Sequence, residues 1–252
     1  MSNLINTNAT AMVNECSLED VKKIKLPKKT KTYQPVSHAS VIKYASTQIP
    51  KMLSKDWKLE KVTFGMSNKG QYLFGMVTFT NGDGYMGPSI AFRNSYNKEF
   101  ALGFAFGAQV FVCANGMFTG DVVVAKKHTP NVWASVKELM KVEIGRVEKA
   151  YHELQESVRL MREIEMNDAF AWSLLGKLRG KDILTPRVFE TALKEWATPS
   201  HDEHKDGTAL QLYNACTEAL KMETLPSRAM SQRIALHGFF QREVFPVKMF
   251  QA

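Results

Sequence analysis

Residues 93–117 read RNSYNKEFALGFAFGAQVFVCANGM, and the way this stretch folds decides the architecture of the chain. It joins a polar turn, a long apolar run and a Cys-Ala-Asn-Gly turn. Phe104, Phe106, Val110, Phe111 and Val112 favour a strand, and the mixed period of the apolar positions suits a sheet element buried on both sides or a segment packed tightly on one. Ala101, Phe104, Ala105, Ala108 and Phe111 also fall at helical spacing, with Gly103 and Gly107 counting against a helix. Residues 100–114 therefore read as a fourth sheet segment or as a helix.

Upstream, residues 57–64 alternate in strand fashion, and Ser67-Asn68-Lys69-Gly70 is a hairpin turn signal. Residues 71–80 form the return strand, Asn81-Gly82-Asp83-Gly84 a second turn, and residues 85–94 a third strand. Residues 116–126 would close the meander as a fifth. Val41, Ile42, Ala45, Ile49, Met52 and Leu53 repeat at helical spacing before it, with Ser37 as a candidate cap and Pro50 placed to kink or end the helix.

Past Pro130 the period changes. Val132, Val136, Leu139, Met140, Val142, Ile144, Val147, Tyr151, Leu154, Val158 and Met161 make the amphipathic pattern of a helix longer than thirty residues, with the pattern continuing through 169–178 until Gly176 and Gly180. Thr185-Pro186 opens a further helix. Residues 199–207 (PSHDEHKDG) read as a solvated loop, 208–220 and 227–240 as two more helices, and VFPVKMFQA as an apolar tail that docks on the core or on a neighbouring subunit. The expected fold is α+β: an antiparallel β-meander with a preceding helix, followed by a mostly helical half. The expected divisions are a flexible basic arm (1–35), a β-rich core (36–130) and a helical region (131–252).

Charge is distributed unevenly. The chain of 252 residues has a formal net charge of +8. Residues 1–35 hold six lysines against three acids, residues 36–135 ten cations against five acids, and residues 136–252 seventeen of each. The whole excess lies in the first half, as expected of a surface that meets a polyanion. A modest excess that serves only solubility is the plainer alternative. No apolar run reaches the roughly 18 residues a membrane span needs, and the opening residues lack a secretory pattern. Three separated cysteines, Cys16, Cys113 and Cys216, suit reduced thiols in a cytoplasm.

Few constellations suggest catalysis. His201 and His204 lie three apart beside Asp202, Glu203 and Asp206, a spacing that would suit a metal on a helix, but Pro199 and Gly207 bracket a loop. His128 at a strand end is either a base, a phosphate contact or a satisfied structural residue. Cys113, among apolar neighbours, reads as an inert buried thiol. Phosphate loops, dinucleotide fingerprints and nucleophile elbows are missing from the sequence. No cofactor or metal is implied, and the expectation is a protein without enzymatic activity. Aromatic residues interleaved with cations are more suggestive, because bases stack on rings while basic groups follow phosphates. For most single rings the plainer reading is the sheet's own core.

The segments AFRNSYNKEFALGFAFGAQVFVCANGMFTGD, KKHTP and TALQLYNACTEAL together resemble a phage- and plasmid-borne family catalogued as a domain of unknown function. The resemblance covers residues 37–225 and implies a mobile-element gene product. The order of elements is also similar to that of the single-strand annealing recombinases of phages (RecT, Redβ and Erf type), though no short motif of those proteins is present. That similarity implies a cytoplasmic homo-oligomer, ring or filament, that binds single-stranded DNA in a basic groove without a nucleotide cofactor.

The residues expected to neutralise phosphates are Lys28, Lys29, Lys31, Lys69, Arg93, Lys98, Lys126, Lys127 and His128, with Tyr72, Tyr85 and Tyr96 as stacking partners. The competing expectations are a factor that binds and inhibits a host defence or replication protein through 199–207 and 244–252, and an enzyme that uses His128, His201 or His204.

Overall fold

The computed structural model describes residues 14–82, 84–110, 116–117, 123–223 and 226–246. Within them the chain begins with a short strand β1 (Asn14–Glu15) and helix α1 (Leu18–Lys23). Ser17 caps α1 in a reciprocal capping box with Asp20. Helix α2 (His38–Lys43) continues as a π turn (Tyr44–Gln48) and a 3-10 turn (Ile49–Met52). The change to the short 3-10 turn falls at Pro50, which has no backbone N–H to continue the ladder, and the segment ends at Met52. Ser37 occupies the N-cap of α2 but makes no side-chain cap bond.

The meander follows: β2 (Lys58–Ser67), β3 (Tyr72–Thr80), β4 (Met86–Ser95), β5 (Leu102–Val110), β6 (Gly116–Met117) and β7 (Val123–Lys126). All pairings are antiparallel, in the order β1-β2-β3-β4-β5-β6, with β7 also on β5. β6 and β7 lie along the same edge of β5, so the expected fifth strand is present as two pieces. Lys69 (φ 54°) and Gly70 (φ 82°) carry the left-handed backbone that the tight β2–β3 turn requires.

Within the ambiguous stretch Leu102–Val110 form the strand β5, paired with β4 and buried on both faces. Leu102, Phe104, Phe106, Ala108 and Val110 enter the main core, where helix α3 (Val132–Glu163) packs on β5 and β7. On the second face Ala105 joins Ala91 and Met76 beneath Met230 and Ile234 of helix α7 (Pro226–Glu243). Burial on both faces erases the alternation that would have announced the strand. The close packing shows at Gly75, where a Cβ would stand 2.2 Å from the Phe92 ring and 2.8 Å from the Thr63 carbonyl oxygen.

α3 spans 32 residues, about 48 Å at the α-helical rise. The helical pattern was expected to run on into 169–178. Instead Ile164 turns extended, Glu165 bridges to Thr208, and Asn167 starts helix α4 (Asp168–Gly180) by accepting from the Phe170 N–H. Gly176, read as a break, lies inside α4. Helix α5 (Pro186–Ala197) opens at Thr185-Pro186 as expected, with the Thr185 hydroxyl accepting from the Val188 N–H. Helix α6 (Ala209–Ala219) is capped by Thr208, and a 3-10 turn, Asp202–His204, lies within the loop before it. One hydrophobic cluster runs from Val21 through the sheet to Val244, so the helical half is packed into the same core as the meander. The start of the apolar tail docks there as well, and residues 247–252 lie outside the described residues.

The basic arm was expected to be flexible. From Asn14 onward it is instead packed. Residues 24–37 form a strap across one end of the sheet. Ile24 packs against Gly70, so that a Cβ there would sit 2.6 Å from the Ile24 Cδ1. The Tyr33 hydroxyl donates to the Tyr96 carbonyl at 2.8 Å, and the Gln34 N–H to the His128 carbonyl at 2.9 Å.

Candidate functional site

In an antiparallel meander alternate turns share an end. The β2–β3 turn (68–71), the β4–β5 turn (96–101) and the end of β7 therefore lie together, and the strap crosses them. These segments, residues 24–37, 68–71, 96–101 and 126–129, contain eight lysines (Lys25, Lys28, Lys29, Lys31, Lys69, Lys98, Lys126 and Lys127) and one carboxylate, Glu99. None of the eight forms an ion pair among the described residues. All are exposed. Glu99 accepts from the Tyr72 hydroxyl and from Asn97 Nδ2. The helical half is different: Lys141, Arg146, Lys149, Arg159, Lys177 and Arg179 all pair with carboxylates. The cationic excess thus collects at one end of the sheet, at a distance where surface potentials add.

An open cleft of about 410 Å³ lies in this end, with Thr32, Tyr33, Lys98, Phe100, Lys127 and His128 among its walls. Lys98, held at φ 67°, places Nζ 4.6 Å above the Tyr33 ring. Arg93, half-buried in β4, lays its guanidinium over Phe100 at 5.5 Å. Phe100 also meets Tyr72 at 5.1 Å and Phe74 at 5.2 Å.

Three of the expected contacts need correction. Tyr96 is 4% exposed, stacked on His38 at 3.7 Å, with its hydroxyl accepting from the His38 N–H. Both ring faces are thus unavailable to a base. Tyr85 lies at the opposite end of the sheet, under the Arg162 guanidinium at 4.4 Å and within 3.3 Å of Asn214 Nδ2. His128 is buried and is no cation: burial pushes its pKa down. The satisfied structural role is the one it fills.

His128 belongs to a buried network that the sequence did not announce. Asn94 Nδ2 donates to the Val36 carbonyl at 2.7 Å and to His38 Nδ1 at 2.9 Å. His128 Nε2 donates to Asn94 Oδ1 at 2.8 Å, and His38 Nε2 donates to the Gly70 carbonyl at 3.0 Å. The two carbonyls can only accept, which sets the Asn94 orientation and the neutral Nε2–H tautomer of His38. Burial, with a smaller push from His128, lowers the His38 pKa to about 4.

A pH dependence follows from that shift. The unfolded chain takes up the proton near pH 6.5 and the folded chain only near 4, so the His38 contribution is whole above pH 6.5. It is lost progressively as pH falls toward 4, by about 3 kcal/mol in the limit. His128 acts in the same direction. Urea midpoints at pH 7, 5.5 and 4.5 should fall more steeply for the wild type than for His38→Gln, and parallel curves would contradict the assignment.

The second histidine pair is less exposed than a solvated loop implies. His204 is buried, its ring 5.2 Å from that of His201, and His201 Nε2 stands 3.9 Å from Glu218 Oε2. Among the described residues no group of three or more His, Cys, Asp or Glu is placed to hold a metal, and no helix is long and apolar enough to cross a membrane. Cys113 lies outside the described residues, and Cys216 is buried with its thiol pKa pushed up.

Residues 25–237 match the profile of a protein family described as Domain of unknown function (DUF932). No curated protein and no solved structure matches the chain. The likeness of layout to the annealing recombinases therefore gains no support.

Proposed function

The chain belongs to the family described as Domain of unknown function (DUF932), and we propose that it binds single-stranded DNA across the cationic end of its sheet. The observation that carries this reading is the set of eight exposed lysines, without ion pairs among the described residues, around a single carboxylate. A polyanion is the partner that such a surface recruits, chiefly by releasing counterions. Lys28, Lys29 and Lys31 on the strap, Lys69 and Lys98 in the turns, and Lys126 and Lys127 at the end of β7 neutralise phosphates. The half-buried Tyr72 and Phe100 offer ring surface to bases at the same end, and duplex DNA hides its base faces from them.

The protein then acts by binding, without a cofactor or a turnover step, and a homo-oligomer would line several such ends along one strand and favour annealing of its complement. It is read as a phage- or plasmid-borne protein that works in the cytoplasm of its bacterial host.

The test is fluorescence anisotropy of a labelled single-stranded oligonucleotide between about 0.05 and 0.2 M salt, with duplex of equal length as competitor. The expected result is salt-sensitive binding that the duplex displaces poorly. Lys126→Ala with Lys127→Ala should weaken it for every sequence and flatten the salt slope by about one per lost contact. Binding unchanged at every salt would remove these two lysines from the interface. No binding even at low salt would overturn the reading.

A further inference from the structure

We propose that the pocket between the second sheet face and α7 is a base-binding site, taking one unstacked base of the strand whose phosphates lie on the cationic end. The inference rests on the reading above and deepens it.

The pocket, about 170 Å³, spans two rungs of the sheet. The register aligns Phe74, Arg93, Gly103 and Ala125 in one rung and Met76, Ala91, Ala105 and Val123 in the next. Except for Met76 these residues line the pocket, closed from above by Met230, Ser231 and Ile234 of α7. The space exists because the side chains on its floor are small: at Ala91, Gly103, Ala105 and Ala125 nothing larger than a methyl rises from the strands. Two rungs measure about 7 Å along the strands, and the result is an apolar slot beside the ring of Phe74.

Arg93 makes the slot more than a packing defect. Among the described residues it is the one charged residue in the lining. Its guanidinium has no ion pair and no hydrogen bond among the described residues, only the Phe100 ring at 5.5 Å. Phe100 is also a wall of the basic cleft. The slot and the cleft thus meet at Arg93 and Phe100, one side apolar, the other cationic. A nucleotide has the matching division: a flat base whose faces tolerate apolar contact, and a phosphate that asks for cations. Arg93, planar and with five donors, suits either the phosphate or the carbonyl edge of the base.

The experiment compares a short oligothymidine with an abasic strand of equal length and charge, by anisotropy at fixed low salt. With the base in the slot, the abasic strand binds at least about tenfold more weakly. Ala105→Leu fills the slot from the floor and should bring the two strands within twofold of each other while leaving the salt slope in place. Met230→Trp fills it from the α7 side and serves if Ala105→Leu does not fold. Equal binding of the two strands by the wild type overturns the base site and leaves the phosphate surface standing. Undiminished discrimination in the filled variants also overturns it, by placing base recognition elsewhere. Failure of both strands to bind at low salt removes the reading on which the inference rests.

Discussion

Replacing Asn94 with leucine is expected to cost on the order of 3–5 kcal/mol of folding stability, read as a drop in urea midpoint with an unchanged m-value. Asn94 is 0% exposed and serves three partners at once: the Val36 carbonyl, His38 Nδ1 and His128 Nε2. Each buried partner left unpaired costs about 1–3 kcal/mol, and the sum is tempered because the three losses share one site. The partners hold the strap, α2 and the end of β7 to β4. The same substitution should therefore loosen the segments that carry Lys28, Lys29, Lys31 and Lys127, and hydrogen exchange should rise there before it rises in β3 or β5. If Asn94→Leu unfolds near the wild-type midpoint, the network is not what fastens the strap.

Arg233→Met should move stability the other way, by about 1–4 kcal/mol. Arg233 lies in α7, 1% exposed, and none of its guanidinium nitrogens has a hydrogen-bond partner among the described residues. Burial pushes its pKa down to about 10, with Tyr213 and Glu218 pulling weakly the other way. A buried guanidinium without a partner forfeits its hydration and recovers little of it. Methionine fills a similar volume beside Tyr213 without that penalty. A raised urea midpoint is the expected result. A loss of several kcal/mol would mean that the guanidinium is paired in solution, since breaking a buried pair is costly.

Much of the architecture is legible in local pattern. The helical period of Val132 to Met161, the Thr185-Pro186 start of α5 and the turns around Gly70 and Gly82 each report a local preference, and local preference is what a sequence records most directly. The strand identity of β5 was ambiguous for a physical reason. A strand buried under α3 on one face and α7 on the other has no polar face to alternate with, and on the α7 side Ala105 packs beneath Met230 and Ile234. The break at Ile164–Asn167 was missed because apolar spacing continues through it and hides the local Asn167 cap, while the Glu165–Thr208 bridge depends on a segment more than forty residues away in the chain.

The candidate site divides along the same line. The sequence by itself determined that the chain has a cationic first half and a neutral helical half, because charge counts need no coordinates. It also placed lysines in turns, where side chains face water. Only the tertiary structure decided which of those turns share an end, that the strap is fastened across them, and that Tyr96 and His128 lie beneath the surface while Tyr85 lies at the far end. The fastening of the strap and the burial of His128 hang on Asn94, whose partners at positions 36, 38 and 128 are distant from it in sequence. A hydrogen bond between distant segments leaves no period for a sequence to display. The register of four strands, which brings Arg93, Gly103 and Ala125 to one rung, is likewise set by pairing, and pairing is a property of the assembled sheet.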